Sequence, residues 1–326
     1  MSAAEYDRLL PAPEEARRMW REHWGVFATT LDQRMAVLVH ITTDPIRREG
    51  VFTVVIWVDG RRFKDIHRAP VPTRPELSNA IRSPQLTFEI LEPGERCAIG
   101  YRGDGVEADL QFATRFNAQH RIEAGPQALY PVDNVQQAVA ASGEVRVAGQ
   151  PARAFDAFGS RDHTWGWFPE APFRHHEWIA VSLPDRFVQM SRTRRRVTGV
   201  ASEGGFAATA VGVRDVTSVE IADPYWISDP DAHLPPLDRD TECEAVDSGG
   251  NVHRVELLLS RGTARHHSNR RDRELDRIYE QVTMFCPVRV GDQVTGTAVV
   301  EIGKLLERPG VCDEPLPHAA KARAVG

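Results

Sequence analysis

The apolar residues of this chain come in short runs rich in Val, Ile, Thr and Phe, broken at close intervals by Gly, Pro, Asn and Asp. That pattern predicts strands joined by hairpins. In the first half it places strands over Phe27 to Ile41, Val51 to Val58, Leu86 to Leu91, Arg96 to Tyr101 and Val106 to Phe116. Asp59-Gly60 after Val58 is a hairpin signal, as are Pro93-Gly94 and Gly103-Asp104-Gly105. Gly143 to Val147 and Ala152 to Phe158 read as a hairpin turning at Gly149-Gln150. Before all of these, Pro13 to Trp24 predicts one short helix, because proline opens it and two Glu follow.

A second β-rich half follows. Strands are expected over Glu177 to Leu183, Arg186 to Arg192, Thr198 to Ala201, Phe206 to Val213 and Val216 to Ile221. A polar, proline-rich stretch, Asp223 to Asp240, precedes Thr241 to Ala245, Val252 to Ser260, Glu280 to Pro287 and Thr295 to Ile302. Gly262 to Asp276 is charged and reads as a loop or short helix, and the tail beyond Pro309 as disordered. Two runs of hairpin-spaced strands favour two barrels or sandwiches over alternating βα units. Pro169 and Pro172 interrupt pairing and place a boundary near residues 168–174.

Composition narrows the partners. A net charge of −6 disfavours a general nucleic-acid binder. The basic runs Arg192–Arg196 and Arg265–Arg273 read as solvated faces. Cys97, Cys243, Cys286 and Cys312 are scattered with no Cys-x-x-Cys pair, which argues against a zinc ribbon or a disulfide scaffold. The opening MSAAEYDRLLPAPEEARRMW does not read as a signal peptide. No apolar run approaches the roughly 20 residues of a membrane helix. A cytoplasmic protein with reduced thiols and no integral membrane segment is expected.

Common cofactor motifs are absent. There is no Gly-x-Gly-x-x-Gly, no Walker A and no Gly-x-Ser-x-Gly, so no nucleotide cofactor and no hydrolase elbow is expected. His175-His176-Glu177 with His163 suggests a metal only superficially. Adjacent strand histidines point apart and no His-x-His pair exists, so no metal is expected. His266-His267 reads as surface. Tyr225-Trp226 and Trp178 are cavity-wall or core aromatics.

The chemistry concentrates in Gly159-Ser160-Arg161-Asp162-His163-Thr164-Trp165-Gly166-Trp167. In an extended segment Arg161, His163, Trp165 and Trp167 share one face, and Asp162 and Thr164 the other. A cation, an imidazole and two indoles on one face suit a pocket lining; they also suit a packed, hydrogen-bonded core. Asp162 can be an acid or can orient His163. Arg161 can hold a substrate carboxylate or pair with a buried Asp.

The run Gly143-Glu144-Val145-Arg146-Val147-Ala148-Gly149, with the core Arg161-Asp162-His163-Thr164-Trp165-Gly166, resembles an uncharacterised bacterial family with a Gly-x-Arg-Asp-His-Ser-Trp-Gly signature. More distantly it resembles the carotenoid 1,2-hydratases and the tandem-lipocalin Diels–Alderases. The resemblance covers mainly residues 140–170, with weaker support near Gly296 to Gly303. It implies two lipocalin-like antiparallel β-barrels, residues 1–168 and 169–326, around an apolar pocket. His163-Thr164-Trp165 matches the hydratases' His-x-Trp pair. Their Tyr-x-Asp pair has no counterpart over Arg186 to Thr193, where Asp185 is the nearby carboxylate.

The expected activity is cofactor-independent hydration, dehydration, isomerisation or cyclisation of an apolar isoprenoid, terpenoid or steroid-like substrate. His163 and Asp162 are the catalytic candidates, and Arg161, Trp165, Trp167 and Trp178 line the substrate site. A carrier without catalysis and a pericyclic cyclase are the alternatives on the same fold.

Overall fold

The computed structural model describes residues 7, 20–44, 48–71, 79–123, 132–167, 173–195, 201–222, 234, 237–272 and 277–306. Among them the chain is almost wholly β, with no α-helix and one 3-10 turn at Leu259–Arg261. The first sheet holds β1 (Trp20–Thr30), β2 (Met35–Asp44), β3 (Glu49–Val58), β4 (Arg61–Pro70), β5 (Ala80–Arg82), β6 (Leu86–Glu92), β7 (Arg96–Gly103), β8 (Val106–Thr114), β9 (Gln119–Glu123), β10 (Val132–Val147) and β11 (Arg153–Trp167). Its order is β4-β3-β2-β1-β11-β10-β8-β7-β6-β5, with β9 beside the early part of β10. The sheet curls until its edges meet through side chains. His67 of β4 bonds Ser83 beyond β5 at 2.7 Å, and Tyr101 of β7 donates to Asp65 of β4 at 3.2 Å.

The second sheet holds β12 (Phe173–Ser182), β13 (Arg186–Arg195), β14 (Ala201–Thr209), β15 (Gly212–Ile221), β16 (Thr241–Asp247), β17 (Val252–Leu257), β18 (Ala264–Asp272), β19 (Arg277–Val290) and β20 (Gln293–Leu305). Its order is β17-β16-β15-β14-β13-β12-β20-β19-β18. Pairing of Glu256 with Arg289 and of Leu257 with Val288 joins β17 to β19 and closes an eight-stranded barrel, with β18 outside the ring. The fold is a tandem of lipocalin-like units, one curled sheet and one closed barrel.

Strand alternation builds three cores. Val26, Ala28, Val37, Val39, Phe52 and Val54 point inward in the first unit. Ile179, Val181, Met190, Val282, Val300 and Ile302 do so in the second. The opposite faces of β1–β3 (Phe27, Ala36, Leu38, Val55, Trp57) meet those of β12–β14, β19 and β20 (Ala180, Phe187, Phe206, Phe285, Val299) in a third, apolar core between the units.

Several expectations are corrected. The predicted helix to Trp24 fails over Trp20–Trp24, which open β1; these residues alternate between core and inter-sheet face, a strand period. The rest of that segment, residues 13–19, lies outside the described residues. The single strand expected over Phe27 to Ile41 is a hairpin. Its turn at residues 31–34 is built by Asp32, which accepts from Thr30 Oγ1 and the Arg34 N–H, and by Gln33 at φ 58°. Phe206 to Val213 likewise holds a turn between β14 and β15. Ala264–Asp272, expected as loop or helix, is strand β18, and His266 is buried rather than at the surface. The Asp59-Gly60 turn is as expected, with φ 49° and 76°. Thr198 to Val200, most of Asp223 to Asp240, Tyr225-Trp226 and the tail lie outside the described residues.

Candidate functional site

The motif occupies the end of β11, between β1 and β10. Alternation there is strict over residues 161–165, so one motif serves two compartments. Arg161, His163 and Trp165 point into the first unit, and Asp162 and Thr164 point toward the second. Trp167 closes the strand, and its side chain lies outside those described.

Inside the first unit His163 is clamped. Its Nε2 donates to Glu22 Oε1 at 2.8 Å, with both side chains 3% exposed. The imidazole stacks on Trp24 with centroids 3.5 Å apart, and Trp165 packs against it at 4.6 Å. Arg161 is also committed: Nε donates to Gln137 Oε1 at 2.9 Å and Nη2 lies 3.0 Å from Asp7 Oδ1. Asp7 accepts from the Gly94 N–H, and Gln137 Nε2 donates to the Gly94 carbonyl at 2.8 Å. Thus the guanidinium has a buried carboxylate partner, the arrangement a buried charge needs.

Asp162 stands on the other side. Its neighbour across β1 is Gly25, where a Cβ would sit 2.0 Å from Asp162 Oδ1. Glycine there makes the space the carboxyl occupies. Asn134 Nδ2 donates to Thr164 Oγ1, which donates to Asp162 Oδ2 at 3.4 Å; Oδ1 is buried with no partner. Burial, and then the Glu301 carboxylate from β20, push the Asp162 carboxyl up to about 7.

The facing wall is built from β12, β19 and β20. Glu301 Oε1 accepts from His176 Nε2 at 3.0 Å, and Oε2 accepts from Thr283 Oγ1 at 3.2 Å. With Nε2 donating, His176 Nδ1 accepts from the Tyr279 hydroxyl. The His176 ring and that hydroxyl meet over Gly303, where a Cβ would come within 2.2 Å of both. Trp178 pairs in register with Glu301 and packs on Phe27 at 5.7 Å, its Nε1 buried without a partner.

The structure therefore brings Asp162 and Trp178 to one inter-sheet layer. It puts Arg161, His163 and Trp165 in another compartment. Sequence reading missed Glu22, Trp24, Glu301 and Tyr279. The signal available was glycine inside a strand: Gly25 and Gly303 clear space on the two facing walls. Among the described residues no group of three or more His, Cys, Asp or Glu is placed to hold a metal, and no helix is long and apolar enough to cross a membrane. Cys97, Cys243 and Cys286 are free and buried. A shallow concavity of about 480 Å³ on the outer face of β6–β8 and β10, around Gly100 and Gly143, shares no residue with these layers.

Three solved structures share the fold. A candidate AttH from Nitrosomonas europaea aligns with TM-score 0.58 and 12% identity over 89% of this chain and 93% of its own. CghA with Sch210972 aligns at 0.56 and 11% over 91% and 90%. Kievitone hydratase from Nectria haematococca aligns at 0.57 and 12% over 86% and 88%. No curated protein matches the sequence at a significant level. A family model for a domain of unknown function, DUF7064, matches residues 5–305, and the chain belongs to that family.

Proposed function

We propose that the protein is a cofactor-independent acid/base enzyme, a hydratase/dehydratase, isomerase or cyclase, acting on an apolar isoprenoid, terpenoid or steroid-like substrate between its two sheets. Asp162 is the proton donor. The observation that carries this reading is the Asp162 carboxyl, held up to about 7 by burial and then by the Glu301 carboxylate, with Oδ1 buried and unpartnered over Gly25. A carboxylic acid kept neutral near neutral pH has a proton to give. A neighbour on the same fold is named a hydratase, which agrees with this chemistry.

In the hydration direction Asp162 gives its proton to one alkene carbon and the cation forms on the other. The Trp178 indole and Phe27 ring offer π faces, each contributing ~0.5–2 kcal/mol to a nearby cation. Water adds to the cation and loses one proton to the Glu301 carboxylate, which His176 and Thr283 hold. That proton returns to Asp162, so alkene plus water gives alcohol. Isomerisation or cyclisation differs only in that a carbon-bound proton goes to the base. In this reading His163 and Trp165 position β11 from behind, and Arg161 does so with Asp7.

The test is native mass spectrometry after incubation with a terpenoid and lipid extract, on wild type and Asp162→Asn. Release of a bound molecule changed by the mass of water, or isomerised, by wild type but not by the variant supports the reading. A ligand returned unchanged by both points to a carrier. Equal turnover by both points to a pericyclic cyclase, which needs shape rather than charge.

A further inference from the structure

The seam that closes the first unit carries a side-chain triad that the inter-sheet site does not use. Asp65 and His67 stand at alternate positions of β4, so they share one face, in register with Val54 and Phe52 of β3. The imidazole runs parallel to the buried Phe52 ring, with centroids 5.3 Å apart and 3° between planes. Its Nε2 is 2.7 Å from Ser83 Oγ, and its Nδ1 is 3.1 Å from Asp65 Oδ2. That carboxylate oxygen also accepts from the Tyr101 hydroxyl at 3.2 Å. Gly103 leaves room for the phenol, since a Cβ there would meet its hydroxyl at 2.1 Å. Ser83 opens the turn into β6, where the Leu86 N–H donates to Ser83 Oγ at 2.9 Å.

Many polar pairs could close a seam, but the order found at this one is the order nucleophilic catalysis needs. The Ser83 hydroxyl proton goes to His67, because the Leu86 carbonyl is 3.5 Å away. Nε2 is then the bare nitrogen and the Nδ1–H faces Asp65. The carboxylate so stabilises the imidazolium that forms when Nε2 takes the serine proton. The Leu86 N–H, already on Oγ, steadies the developing alkoxide. The His67 and Asp65 side chains keep 16% and 25% of their surface exposed, so a small acyl group reaches the triad from solvent. We propose that Ser83, His67 and Asp65 form a second catalytic site, separate from Asp162, which hydrolyses small carboxylic esters. Ser83 Oγ gives its proton to His67 and bonds the acyl carbon, and the ester's alkoxide leaves with that proton. Water then gives a proton to His67 and attacks the acyl-enzyme, and Oγ leaves with it, so ester plus water gives acid plus alcohol.

The probe is p-nitrophenyl acetate on the full chain, followed by nitrophenol absorbance and by peptide mass after an acid quench. Hydrolysis above buffer and a transient acetyl group on Ser83 are expected. His67→Gln, whose amide cannot take up a proton, should lower the rate about 10²–10⁴-fold. Asp65→Asn keeps an acceptor for Tyr101 and should lower kcat with KM unchanged. Ser83→Ala should lose the adduct. Ser83→Cys puts a nucleophile back at the same place and should carry the acetyl group on sulfur, a result that a purely seam-closing role would not give. Hydrolysis no faster than buffer, acetyl groups on lysines alone, or a rate indifferent to His67→Gln would overturn the proposal. So would a folded Ser83→Cys protein that takes up no acetyl group.

Discussion

Two aspartates show how local surroundings set opposite charges. Asp162 is raised by burial and by Glu301, to about 7 from an ordinary 3.8. A raised carboxyl binds its proton more tightly folded than unfolded, so its contribution to stability is complete below pH about 4 and is lost as pH rises through 7. Asp162→Asn should cancel that slope, seen as a wild-type-minus-variant difference in unfolding free energy between pH 4 and 8. The same substitution should cut turnover by about 10²–10⁴, the usual worth of a general acid. Asp247 runs the other way. Burial opposes its charge, but the Asn251 side chain and N–H, His253 and the Gly249 N–H hold the carboxyl well below the usual range. Its contribution is complete above the ordinary carboxylate range and is lost as pH falls below it. Asp247→Asn should therefore cost about 2 kcal/mol at pH 7 and progressively less in strong acid, as measured by denaturant melts.

At the scale of the strand, β11 decides which residues can act together, and strand alternation makes that legible in the sequence. The period of two separated Asp162 from His163 correctly. It could not say which face would turn into the first unit and which toward the second. That depended on Glu22 and Trp24 arriving from β1, and nothing local marks a buried Glu as the partner of a histidine 141 residues away. Strand-rich runs were readable because Val, Ile and Thr announce themselves. Hairpins without Gly or Pro, such as the one at Asp32-Gln33, were not, because Asp32 makes the turn by side-chain hydrogen bonds. The buried pair gives a sharp prediction for His163. His163→Ala removes the imidazole that bonds the buried Glu22 carboxylate and empties the slot between two indoles. Stability should fall by about 3–5 kcal/mol, measured by chemical unfolding, while the folded fraction keeps its turnover. Gly25→Ala should do the reverse, because its Cβ would displace the Asp162 carboxyl. Turnover should collapse with a smaller loss of stability.

At the scale of the whole molecule, the proposed division at residue 168 cuts a chain whose halves share a core. Phe27, Leu38, Val55 and Trp57 of the first half are buried only because Ala180, Phe187, Phe206, Phe285 and Val299 of the second cover that face. The join is also pinned by hydrogen bonds that name a unique docking: Arg115 Nη2 donates to the Leu183 and Pro184 carbonyls at 2.6 and 2.9 Å, and Thr263 Oγ1 to the Gln33 carbonyl at 2.7 Å. The same face, toward the β11–β12 link, carries Asp162 opposite Glu301, so the proposed site exists only when both halves are docked. Large apolar side chains left bare on a sheet face drive association rather than leaving a quiet monomer. A fragment of residues 1–168 should therefore aggregate or self-associate on gel filtration, and the intact protein should melt in one calorimetric transition. Mixing the two halves should restore a single particle. A monodisperse 1–168 fragment with its own cooperative melt would show that the apolar join contributes little, and would leave the facing of Asp162 and Glu301 without the rigid docking that the acid chemistry requires.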